Sequence, residues 1–173
     1  MEINELYLKT AFCCMACDGE IAPEELELVK HFAASASYFK DIDVQNTINK
    51  YVAEINERGA QFLFDYLKSI TICSLNQQQE KDLALIAIKM ILEDNKIEYS
   101  EISFFKKIRA ELKLSDEALL EVFEKETLFE KFPEIQPEDF LLPDITSVED
   151  WNWSGIFESI NLGINIGERL VKE

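Results

Sequence analysis

Helix breakers are scarce in this chain. It has five glycines and four prolines in 173 residues, and three of the prolines fall between Pro133 and Pro143. Up to residue 132 the only breakers are Gly19, Pro23 and Gly59. That excludes the turn-rich pattern of a sandwich or barrel. Histidine is nearly absent, His31 being the only one, and no serine–histidine or cysteine–histidine setting accompanies it. No glycine-rich phosphate loop is present. Nothing else in the sequence argues for an enzyme. Positive charge is also in short supply, with 17 Lys and Arg against 34 Asp and Glu, for a net charge of −17. Such a chain repels phosphate backbones and anionic lipid, which argues against nucleic-acid binding and leaves cations and basic protein surfaces as partners. No apolar run is long enough to span a membrane. The opening "MEINELYLKT" has no basic start and no small-residue cleavage site, so the expected compartment is the cytoplasm. Three of the four cysteines, Cys13, Cys14 and Cys17, crowd onto one stretch away from Cys73, which suits a reduced interior better than a disulfide frame.

What is abundant is apolar surface at helical spacing. Hydrophobic residues make up 47% of the chain, and twelve are Phe. The periodicity predicts helices over about 4–17, 22 onward, 43–57, 60–75, 78–93, 99–112, and a seventh capped by Ser115. Two of these, one ending in "AFCCMAC", which is apolar on every side, and one containing "LALIAIKMIL", which is almost wholly apolar, are expected at the centre. The fold class is therefore all-α: a bundle of about seven helices, with an internal two-fold repeat and a C-terminal helical arm. The helical domain is expected over 1–132, with a linker and the arm over 133–173.

The repeat rests on two corners. "CDGEIAPEELE" (17–27) and "EDNKIEYSEIS" (93–103) each follow an apolar helix and open an amphipathic one. Laying Asp18 on Asp94 brings Ile21 onto Ile97 and Glu25 onto Glu101. Asn95 stands where the first copy has Gly19, and both residue types tolerate positive φ. The corners mimic the second half of an EF-hand loop. The first half is missing, because Cys14, Ala16, Met90 and Leu92 fill the positions where oxygen ligands belong. Each corner nonetheless offers up to four carboxylates: Asp18, Glu20, Glu24 and Glu25 in one, Glu93, Asp94, Glu98 and Glu101 in the other. Two readings stay open. The acids cap turns and helix starts, or Asp18, Glu25, Asp94 and Glu101 hold a divalent cation such as calcium or magnesium. Cys14 and Cys17 have CxxC spacing, but a redox motif wants a βαβ setting and zinc wants further ligands, for which Cys73 and His31 are the only soft candidates. The cysteines read as buried structural thiols.

"MACDGEIAPEELELVKHF" resembles the entry motif of the TerB-like family, the tellurite-resistance TerB proteins and their relatives, at Ala16, Cys17, Asp18, Gly19, Ile21 and Glu25. "LEDNKIEYSEISFFKKIRAELKLS" is similar to that family's second motif, with the glycine replaced by Asn95. In layout the resemblance covers about 4–130. It implies an all-α fold of two related halves, a non-enzymatic role in tellurite or wider chemical-stress response or phage defence, and metal binding by acidic residues. Carried over, those residues are Asp18, Glu25, Asp94 and Glu101. The alternative function is a protein-interaction scaffold whose acids are purely structural caps, with a protein partner in either case.

The tail "SGIFESINLGINIGERLVKE" carries a helical stripe, Ile156, Ile160, Ile164, Ile166 and Leu170, preceded by Trp151 and Trp153. Gly163 and Gly167 allow close packing, while Glu158 and Glu168 speak against a membrane span. The arm is expected to be buried, either folded back on its own bundle or docked on a partner, including a second copy in a homodimer.

Overall fold

The structure is a computed structural model that describes residues 1–17, 19, 21–93, 97 and 99–141. Seven helices appear in it: α1 (Ile3–Ala16), α2 (Pro23–Ser35), α3 (Val44–Arg58), α4 (Ala60–Ile72), α5 (Gln77–Glu93), α6 (Tyr99–Glu111) and α7 (Asp116–Glu124). Short 3-10 turns cover Ser37–Phe39, Thr127–Lys131 and Pro137–Phe140. Among the described residues there is no strand, and no helix is long and apolar enough to cross a membrane.

The two helices expected at the centre form it. Every residue from Leu6 to Ala16 of α1 is buried, as are Leu83, Ala84, Ile86, Ala87, Ile88, Met90, Ile91 and Leu92 of α5. α1 packs more extensively against α5 than any other two elements pack together. Their relative direction follows from two contacts. Near the start of α1, the Tyr7 hydroxyl donates to the Gln79 carbonyl at 3.4 Å, in the first turn of α5. Past the end of α1, the Cys17 thiol lies 3.8 Å from the Ser100 carbonyl, at the start of α6. The central helices therefore run the same way, and the corner after each lies at the same end of the bundle.

The remaining helices cover this pair with one face each. α3 buries Ile48, Tyr51, Val52 and Ile55, and α4 buries Phe62, Leu63, Tyr66, Leu67 and Ile70. Asp43 caps α3 by accepting from Asn46 N–H at 3.2 Å, and Ser115 caps α7 by accepting from Ala118 N–H at 3.2 Å. Only Gly59 separates α3 from α4. Its φ of 58° is the left-handed conformation that a residue without Cβ adopts at no steric cost. The bounds of α2 and α6 keep the offset of the sequence repeat at both ends, Pro23 matching Tyr99 and Ser35 matching Glu111.

Two boundaries differ from the sequence reading. α4 stops at Ile72 rather than at 75. Asn76 and Gln79 exchange side-chain-to-backbone bonds of 3.0 and 2.9 Å, a reciprocal cap that starts α5 and forces the chain to turn first, with Ser74 at φ 50°. The boundary expected at 132 is also not an end of packing. Phe140 is fully buried, its ring 5.7 Å from Phe105 and 5.9 Å from Phe129 between centroids. The packed body continues to Leu141, the last described residue. The arm expected over 151–170 lies outside the described residues.

Several polar groups buried inside this body have clear partners, whereas the Ser103 hydroxyl has no hydrogen-bond partner among the described residues. Tyr66 donates to Thr10 at 2.7 Å, and the Thr10 hydroxyl in turn donates to the Leu6 carbonyl at 2.8 Å. Lys9 is 8% exposed, and its ammonium sits 4.6 Å from the Phe62 ring centre and 5.7 Å from that of Tyr51. Aromatic faces attract such a cation by about 1–2 kcal/mol when it is partly desolvated. Glu80, in the first turn of α5, is 4% exposed. Its carboxylate accepts from Lys113 N–H at 3.1 and 3.0 Å and from Leu114 N–H at 3.0 Å, pinning the α6–α7 loop to the centre. Glu80→Ala leaves those donors without an acceptor. We expect it to cost about 2–3 kcal/mol, read as a lower midpoint of urea unfolding at unchanged slope.

Candidate functional site: the paired acidic corners

The first corner forms where α1 runs out of helix. Gly19 takes φ 84° and donates to the Ala16 carbonyl at 3.0 Å, which closes the turn. Ile21 is 1% exposed and anchors the corner in the core. Pro23 then supplies the first residue of α2, where its missing N–H is not needed. Glu25 is the third residue of the helix, and its Oε2 accepts from Ala22 N–H at 3.1 Å. This is one half of a capping box. The other half is absent because alanine at the cap has no side-chain acceptor.

The second corner repeats the plan. Ile97, like Ile21, packs on the core, and Glu101 takes the third position of α6 as Glu25 does in α2. Glu101 is 4% exposed, more deeply set than the half-buried Glu25. It lies close enough to Cys14 that its charge helps hold that thiol well above the usual cysteine range, after burial, the larger cause, and the neighbouring Cys13. The second corner's buried acid therefore sits against the last turn of α1, just ahead of the first corner. Tyr99, which opens α6, is 71% exposed beside it.

Of the four acids expected to form a cation site, Glu25 and Glu101 occupy equivalent positions at this shared end. Asp18 and Asp94 lie outside the described residues. Among the described residues, no three His, Cys, Asp or Glu side chains gather as a metal-holding group. His31 is exposed on α2, whereas Cys13, Cys14 and Cys17 are buried. The CxxC pair is spanned by a bond of the Cys17 thiol to the Cys14 carbonyl at 3.2 Å, a helical i to i−3 contact.

The burial of Glu101 and Glu80 and the seating of Lys9 between rings went unread in the sequence. Each charged residue sits in an ordinary helical pattern, and what it meets comes from parts of the chain distant in sequence. Compared with family models, with curated proteins and with solved structures, the chain matches none.

Burial pushes the Cys13 and Cys14 thiols up, so thiolate is scarce at both near neutral pH. Cys17 is fully buried and Cys73 only half-buried. At pH 8 an aromatic disulfide reagent should therefore react quickly with one thiol per native chain, lost in Cys73→Ser, and with all four in denaturant. Rapid reaction of three or more native thiols would contradict the packing of α1.

Proposed function

We propose that the chain is a non-enzymatic TerB-like module of a cytoplasmic chemical-stress response of the tellurite type, and that its acidic end takes up a divalent cation. The observation that carries this reading is the common direction of α1 and α5. It brings two corners, far apart in sequence, to one end of the bundle. Sequence places eight carboxylates in those corners, from Asp18 to Glu25 and from Glu93 to Glu101. Calcium and magnesium are the ions that carboxylate oxygens suit best, and such a site need not follow EF-hand geometry. One oxygen of Glu25 is engaged in capping, but a carboxylate has a second to offer. The non-enzymatic reading is supported by an exposed lone histidine and by buried thiols whose protons are held tightly.

Calorimetric titration with calcium, magnesium, manganese and zinc tests the cation. We expect binding tighter than millimolar by at least one of them, abolished in the double variant Asp18→Asn, Asp94→Asn. At a hundred-fold excess over Kd the bound ion should add about 2.7 kcal/mol to stability. Failure of all four ions to bind below millimolar removes the claim.

A second reading has its own support in the 3.1 Å bond from Ala22 N–H to Glu25. Here the module is a scaffold for a protein partner, and the acids serve as caps. Glu25→Ala should then cost about 0.5–2 kcal/mol of stability, seen as a lower melting temperature, with no cation response to lose and partner capture unchanged.

A further inference from the structure

Two adjoining cavities, of about 410 and 380 Å3, lie along one side of α5 and share Leu85, Lys89 and Glu126 as lining. One opens between α5, the end of α2 and the turn over Thr127–Lys131, where Phe32, Tyr38 and Leu128 line it. The other opens between α5 and α7, beside Val122. Together they follow α5 from Gln78 to Glu93, a length of about 22 Å at helical rise. Their size is that of a site for a row of side chains rather than for water alone.

We propose that this groove receives the chain's own C-terminal segment, residues 151–170, lying as a helix along α5. Length and position both favour it. Beyond Leu141 the chain continues from Leu142 to Glu173. The last described anchor, Phe140, packs on Phe105 and Phe129, and both of those rings meet Phe123. Phe123 and Phe129 are the immediate neighbours of Val122 and Leu128, which line the groove. The stretch from 142 to 150 can reach about 30 Å when extended, enough to enter the groove from either end.

The chemistry of the two surfaces also agrees. The segment's stripe of Ile156, Ile160 and Ile164 spans a little over two turns and needs an apolar floor, which Leu85, Val122 and Leu128 provide. Gly155, Ser159, Gly163 and Gly167 recur every fourth residue, so one side of the helix lets a neighbouring backbone approach closely. The rim carries both signs, Lys81, Lys89 and Lys125 with Asp82, Glu93, Glu121 and Glu126, and Lys89 lies 3.9 Å from Glu126. The segment brings both signs too, with Glu158 and Glu168 beside Arg169. A second copy or a foreign helix could use the same floor, but neither starts tethered beside it. Tethering makes the intramolecular partner the favoured one at low protein concentration.

The only two tryptophans, Trp151 and Trp153, belong to this segment, so indole fluorescence of the full chain reports on it alone. At submicromolar concentration, where sedimentation shows monomer, acrylamide quenching should be several-fold weaker than in denaturant. Leu85→Asp on α5 and Val122→Asp on α7 should each raise it toward the denatured value while the helical circular dichroism stays. In the unaltered monomer, zero-length carbodiimide coupling should join a segment carboxylate to Lys81, Lys89 or Lys125, which keeps the idea testable if a variant fails to fold. Fully quenchable tryptophans in the native chain, protection that survives both substitutions, protection lost on dilution as a dimer dissociates, or no such cross-link in the monomer would each overturn the proposal.

Discussion

Two helices with so little polar surface cannot face water on most of their sides, and the architecture answers that constraint. α1 and α5 lie against one another, and the other helices cover most of what remains of their surface. Each buried Leu, Ile or Phe along this pair contributes roughly 1.5–3 kcal/mol relative to exposure. The two helices together supply half of the described apolar residues that have no exposed surface at all. The outer helices need only one apolar face each, which is why α3 and α7 are clearly amphipathic whereas α1 is not.

Polar groups that enter this interior do so on specific terms. The carboxylate of Glu80 meets backbone donors of a loop that has no helical partner for them. The ammonium of Lys9 meets aromatic faces rather than a carboxylate. Both devices join elements far apart in the chain, Glu80 to the loop after α6 and Lys9 to α3 and α4. A core made only of aliphatic contacts tolerates sliding between helices. These polar contacts admit one register, because shifting it strands a buried charge.

Much of the fold was legible because the signals were local. Apolar spacing set the number of helices, Pro23 and Ser115 marked two starts, and Gly59 marked the break between α3 and α4. The early end of α4 has a local cause too, since the reciprocal Asn76–Gln79 cap is a signal of the same kind, outweighed in the sequence by the apolar run up to Leu75. The packing of Phe140 escaped for a different reason. Prolines on either side suggested a linker, whereas Pro137 opens a short turn that delivers the ring to α6. At the candidate site, sequence placed Glu25 and Glu101 in equivalent positions. It could not show that both corners share an end, because that depends on the direction of two helices with α2, α3 and α4 between them. Nor could it show that Glu101 is the more deeply set of the two.

The pairing of α1 with α5 has a consequence for how the chain comes into being. α1 emerges well before α5 during synthesis, since the partner that covers it begins only at Gln77. At ribosomal rates of about 5–20 residues per second, that delay is roughly 4–15 seconds. Throughout it the most apolar helix of the N-terminal half has only α2, α3 and α4 for shelter. The two central helices can meet only after a long loop closes, so this helical protein should fold more slowly than bundles built from sequential hairpins. The same geometry that gathers two distant corners at one end thus leaves the growing chain in need of protection until its second half is made.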